Sequence, residues 1–147
     1  SQRYNTTYMD KVKIVCRGLI TDEKNRVLFV KKEGSNFWSL PGGKLDQTDK
    51  DLQSCLEREL KEELGIEIGI GDIKFVQELH KNNTRYVELI WPVFLKIPII
   101  IDKDKVYEIS NKEIVDIVWV DKSNLDSIEI KPDFLINFIK KTFMFCM

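Results

Sequence analysis

The chain has 147 residues, 43% of them hydrophobic, enough for one ordinary core and too few for two. Its 23 Lys and Arg nearly cancel 24 Asp and Glu, which leaves no basic footprint for a nucleic-acid backbone. No apolar run approaches the roughly 18 residues that cross a bilayer, and the opening SQRYNTTYMD lacks a signal-peptide core, so a soluble protein is expected.

Residues 1–8 are given no functional weight, as a flexible tail or cloning remnant, with Met9 a candidate natural start, and 1–147 reads as a single domain. Lys11–Ile20 alternates, with Val12, Ile14, Cys16 and Ile20 on one face, and 26–30 is a short apolar run beyond a turn-like 21–25, so the two are expected to pair. A loop at 33–36 leads through Phe37-Trp38-Ser39-Leu40-Pro41 to Gly42-Gly43, either a tight turn or a loop whose backbone approaches an anionic ligand beside Lys44. The clearest helix spans 51–64 and is stopped by Gly65.

Two long strands follow at 66–79 and 84–97 around an Asn82-Asn83 turn, and Pro92, which lacks a backbone donor, predicts an edge position or a bulge near Trp91. An apolar stretch at 97–101 precedes the charged 102–105, another strand lies at 114–120, and a final helix starts at Pro132. Phe134, Leu135, Phe138, Ile139 and Phe143 give that helix an apolar packing stripe. This interspersion predicts an α/β or α+β fold, a mixed sheet covered by helices on both faces. Cys16, Cys55 and Cys146 have neither metal-finger nor C-x-x-C spacing and read as reduced thiols of a cytoplasmic protein.

The helix carries the chemistry. At about 100° per residue, Leu52, Cys55, Leu56, Leu60 and Leu64 form its buried arc, Glu59 and Glu63 fall inside that arc, and Glu62 lies just beside Cys55. A Glu-rich helix is ordinarily a solvated face with pairs such as Arg58 to Glu62. Acids on a core-facing arc instead need a compensating cation, either salt-bridging side chains or a hard divalent ion such as Mg²⁺.

Read together, GGKLDQTDKDLQSCLERELKEELGI resembles the Nudix box. Arg58-Glu59-Leu60-Lys61-Glu62-Glu63-Leu64-Gly65-Ile66 matches the second half of the family pattern throughout, and Trp38-Ser39-Leu40-Pro41-Gly42-Gly43-Lys44 is similar to the usual approach to it. The first half departs: fourteen residues separate Gly43 from Arg58, one more than in the pattern, and no Glu fills the first acidic position, for which Asp49 and Asp51 are the candidates. In the family that position supports the site through Arg, so the change bears on precision more than on the reaction.

The resemblance implies an α/β/α sandwich and a hydrolase that cleaves the diphosphate bridge of a nucleoside diphosphate derivative by water attack on phosphorus. It implies Glu59, Glu62 and Glu63 as the metal-binding and water-activating acids, the Gly42 carbonyl as a further ligand of Mg²⁺, with Mn²⁺ as the alternative, and Arg58 as the group orienting the acids. Candidates for the general base are Glu113, which is favoured, and Glu108, Glu88 and Glu78. Arg17 and Lys44 are candidate phosphate contacts, Trp38, Phe37, Tyr86 and Trp91 candidate base-stacking groups, and His80 a minor candidate for proton transfer. The substrate implied is a nucleoside triphosphate or a sugar nucleotide. The competing readings are a nucleotide-sensing module that does not hydrolyse and a hydrolase of RNA 5′ ends. The protein is expected as a monomer or homodimer, with 97–101 and 143–145 as candidate contacts.

Overall fold

The computed structural model describes residues 11–73, 75–97 and 100–144. The tail at 1–8, Met9, Cys146, and the side chains of the 143–145 contact lie outside the described residues, as do two positions of the 97–101 stretch.

The alternation of 11–20 becomes β1 (Lys11–Ile20), and the apolar run after it becomes β2 (Arg26–Lys32). They do not pair as expected, apart from a single bridge between Thr21 and Val27. Instead β1 runs parallel to β6 (Thr84–Leu95) over its whole length and antiparallel to the short β3 (Gly42–Lys44). The partner of β2 is β7 (Ile114–Asp121), antiparallel, in a separate two-stranded sheet.

The expected strand over 66–79 is two strands, β4 (Ile68–Ile70) and β5 (Phe75–Lys81), both antiparallel to β6 along the same side. Asn82 and Asn83 join β5 to β6 with φ of 51° and 59°, the two positive values of a tight hairpin turn. Pro92 is neither at an edge nor in a bulge. It lies mid-strand in β6, between Ile90, the last residue paired to β5, and Val93, the first paired to β4. Its carbonyl accepts from the Gly71 N–H at 2.9 Å, so its donorless nitrogen faces the same gap between β5 and β4, where no ladder bond is lost.

The helix α1 (Leu52–Leu64) starts at Asp51, whose carboxylate accepts from the Ser54 N–H, and ends at Gly65 in the left-handed conformation. Its Cys55, Leu56 and Leu60 are fully buried against β1, β2 and β6, at about 1.5–3 kcal/mol for each leucine. A short α2 (Lys103–Ile109), capped by Asp102 and anchored by Val106, forms in the charged stretch, where no helix was expected. A 3₁₀ turn, Lys122–Ser127, leads toward α3 (Leu135–Met144). That last helix starts three residues after Pro132, whose carbonyl accepts from the Leu135 N–H in the entering turn.

The expected sandwich forms because the strands are apolar on both faces. Along β2, Leu28 and Val30 pack in the cluster under α1, while Val27 and Phe29 pack with Leu135, Phe138 and Ile139 of α3 on the other side. Phe75 of β5 stacks on Phe134 at 5.1 Å and contacts Phe138 at 4.5 Å, which docks α3. Among the described residues, no helix is long and apolar enough to cross a membrane.

Candidate active site

A cleft of about 870 Å³ opens beside the C-terminal half of α1, β3, the end of β2 and the first residues of β6. Its floor is built by the glycine pair. Gly42 has φ of 145°, and a Cβ there would lie 2.0 Å from the Cys16 carbonyl oxygen, so only glycine lets β3 pair with β1. Gly43 is needed for space: a Cβ would sit 2.3 Å from the Glu59 carboxyl carbon.

Of the three α1 acids expected as ligands, Glu59, Glu62 and Glu63, two meet this floor. Glu63 is 3% exposed; one carboxylate oxygen accepts from the Gly42 N–H at 3.1 Å, and the other is 3.4 Å from the Lys32 Nζ. Burial pushes the Glu63 carboxyl above its ordinary value, an effect offset in part by the Lys32 ammonium and the Gly42 N–H. Glu59 lies against Gly43 and accepts from Arg58 Nη1 at 2.9 Å. Glu62 departs from the expected cluster: its side chain is 59% exposed, does not line the cleft and, among the described residues, is tied to the site through Arg58 at 3.2 Å.

Arg58 itself is clamped. Its Nε and Nη2 donate to the two Asp49 carboxylate oxygens at 2.7 and 2.9 Å, and Nη2 also reaches the Lys44 carbonyl at 3.3 Å. Hydrogen bonds from Arg58 and from the Asp46 N–H hold the Asp49 carboxyl well below the usual carboxylate range, and the Asp49 bonds hold the Arg58 guanidinium up in turn. Of the two candidates left by the irregular first half of the motif, Asp49 therefore receives the arginine, and Asp51 is the helix cap. The extra residue is absorbed in the loop between β3 and α1.

Arg17, on β1, lines the cleft, but its Nε pairs with the buried Glu88 at 3.3 Å and its Nη1 donates to the Leu40 carbonyl at 3.0 Å. Lys44 lines the cleft with its Nζ 5.9 Å from the Tyr86 ring. Glu113 lines it from the loop before β7 and has no ion pair among the described residues. Glu108 lies outside on α2, and Glu78 bonds His80 at 3.0 Å on the exposed hairpin. Trp38 is a correction: it packs with the α3 cluster under the Lys31 ammonium, 4.7 Å from its ring, while the neighbouring Phe37 faces the cleft. Trp91 is core. Lys32 was not anticipated, because a lysine ending an apolar run reads as an ordinary strand terminus; its position two residues beyond Val30, on the α1 face, was the available signal.

Among the described residues, no three His, Cys, Asp or Glu side chains gather as a closed metal cage. The donors facing the floor are nevertheless all oxygen: the Glu59 and Glu63 carboxylates and the Gly42 carbonyl. One or two carboxylates with room for water and phosphate are what a hard ion such as Mg²⁺ takes at a phosphate site, so the donor set fits. Behind the floor lie the buried thiols of Cys16 and Cys55, and Cys55 Sγ is 3.9 Å from the Gly43 carbonyl oxygen. Burial raises both thiols above their ordinary value.

The family profile described as NUDIX domain matches residues 13–140. The 8-oxo-dGTP diphosphatase of Proteus vulgaris is 40% identical over 65 residues, which are 41% of this chain and 57% of that protein. The mRNA-decapping enzyme subunit 2 of Saccharomyces cerevisiae (strain YJM789) is 28% identical over 72 residues, 48% of this chain and 7% of that protein. The crystal structure of a MutT protein from Methanosarcina mazei Go1 superposes with a TM-score of 0.71 at 22% identity, covering 92% of this chain and 95% of that one.

Proposed function

The chain belongs to the NUDIX domain family, and from that premise we propose that it is a Mg²⁺-dependent hydrolase that cleaves the diphosphate bridge of a nucleoside triphosphate. The observation that carries this reading is the convergence of Glu59 and Glu63 on the Gly42-Gly43 backbone at the floor of a cleft large enough for a nucleotide. Members of this family generally use divalent ions, and the oxygen-only donor set favours Mg²⁺ over softer metals, with Mn²⁺ as a substitute. When bound, the ion supplies neutralisation of the diphosphate oxygens and a more acidic water.

The protein's own residues do the rest. Glu59, Glu63 and the Gly42 carbonyl hold the ion, Glu62 adds negative charge at the rim, and Arg58 fixes Glu59 in place. Glu113 is the favoured proton acceptor, since Glu88 is committed to Arg17. Lys44 and Arg17 face the phosphates, and Phe37 and Tyr86 take the stacking role expected of Trp38. Similarity to a diphosphatase of 8-oxo-dGTP supports a triphosphate over a sugar nucleotide. The similarity to a decapping subunit covers a small part of that protein, and the near-neutral charge argues against RNA. Buried, unpaired thiols at Cys16 and Cys55 support a cytoplasmic location.

The test is product release from nucleoside triphosphates including 8-oxo-dGTP, ADP-ribose, sugar nucleotides and dinucleoside polyphosphates, with Mg²⁺ or EDTA. Cleavage that needs Mg²⁺ and falls in Glu62→Gln and further in Glu63→Gln is expected. Nucleotide binding that persists in EDTA with no turnover on any substrate would replace the hydrolase by a sensor.

A further inference from the structure

Lys32 sits where the ion is expected to bind. Its Nζ lies 3.4 Å from Glu63 Oε2 and 3.5 Å from the Gly42 carbonyl oxygen, two of the oxygens assigned above to the metal. The side chain is 38% exposed and its two contacts are long, whereas the Arg58 fork is fixed by Asp49. Like charges repel at such short range, so an ammonium and a divalent ion cannot share Glu63 Oε2 and the Gly42 oxygen. The same side chain lines the cleft, so a rotamer change takes it from the floor toward the bound substrate.

We propose that Lys32 is a placeholder cation: it compensates the buried Glu63 before the divalent ion arrives, is displaced by it, and then pairs with the diphosphate of the substrate. This rests on the reading of Gly42, Glu59 and Glu63 as the metal ligands, and it adds a linkage. Metal entry releases the phosphate-binding lysine, so ion and nucleotide each tighten the other's binding. Met in place of Lys32 removes a competitor for the ion and a partner for the phosphate at once, and the two effects have opposite signs.

The first experiment titrates Mn²⁺ alone into the full chain, read by electron paramagnetic resonance of the free ion. Lys32→Met is expected to bind Mn²⁺ about three- to fivefold more tightly than wild type, the range of one partly exposed ion pair. Lys44→Met removes equal charge from the same cleft without touching the acids and is expected to stay within about twofold. With Mn²⁺ saturating, α,β-methylene-ADP is expected to bind Lys32→Met more weakly than wild type. An unchanged or weaker Mn²⁺ affinity in Lys32→Met, or an equal gain in Lys44→Met, overturns the placeholder role. Wild-type protein that binds no Mn²⁺, or binds it equally after Glu63→Gln, removes the metal reading itself. Independently of any variant's folding, acetylation of Lys32 in the wild type is expected to speed up on adding Mn²⁺ and slow again with the nucleotide analogue. Reactivity indifferent to Mn²⁺ overturns the proposal.

Discussion

Two cations reach the acids of α1, and they are held in opposite ways. Arg58 comes from the same helix, gives two hydrogen bonds to Asp49, and reaches Glu59 only with the nitrogen that remains. Lys32 comes from the far sheet on a flexible stem, with one oxygen of Glu63 and one of Gly42 at the outer limit of contact. The planar fork fixes geometry, and the point charge on four carbons can leave. On the proposed function, a site that presents acids at fixed positions and still admits an ion needs both.

The fixed side breaks hardest where it has no room. Gly43→Ala places a methyl against the Glu59 carboxylate, so that side chain must move; turnover on whichever substrate the panel identifies is expected to fall about 100-fold in steady-state kinetics. Next comes Asp49→Asn, which keeps the shape and removes the charge that clamps Arg58. A loss of roughly tenfold in kcat, with partial rescue by Asp49→Glu, is expected. A loss confined to KM would instead assign Asp49 to substrate binding.

The clamp also has a pH signature. A carboxylate whose folded-state pKa is depressed stabilises the fold above its unfolded value and loses that contribution as pH falls through the folded value. Asp49 is depressed by Arg58, so the Tm gap between wild type and Asp49→Asn is expected to hold from about pH 8 to about pH 4.5. It closes only at pH values below the ordinary 3.8. Thermal melts across that range check it, and a gap already closing near neutrality would point to a different partner for Arg58. The smallest effect separates the two aspartates: Asp51→Ala loses a helix cap, so Tm drops a few degrees while kcat and KM hold.

What the sequence made legible follows the distance over which the information acts. The limits of α1, its stop at Gly65 and the Asn82-Asn83 turn are encoded within a few residues of one another and appear as expected. Strand partners are not local: alternation marks β1 and a short apolar run marks β2 as strands, yet Leu28 faces Trp119, some ninety positions away, through the pairing of β2 with β7. Pro92 misled for the same reason, since nothing nearby in the chain says that β5 ends and β4 begins beside it. In the site, the motif named Glu59, Glu62 and Glu63 without saying that Glu62 faces outward, and Lys32 meets Glu63 only because the β2 face carrying Leu28 and Val30 packs under α1. Trp38 and Phe37 are adjacent, and which of them faces the cleft is decided by the strand-like bridges at Ser39 and Trp38.

The thiol pair behind the floor turns the packing of α1 into something that can be timed. Cys16 and Cys55 are fully buried and their thiols are pushed up by burial, so in the closed structure neither offers thiolate to an alkylating reagent. Labelling of these two thiols, in a Cys146→Ser background, therefore waits for α1 to lift from β1. Its rate at low reagent excess measures the fraction of time that α1 stands off its sheet, a local opening free energy reported by two buried sulfur atoms.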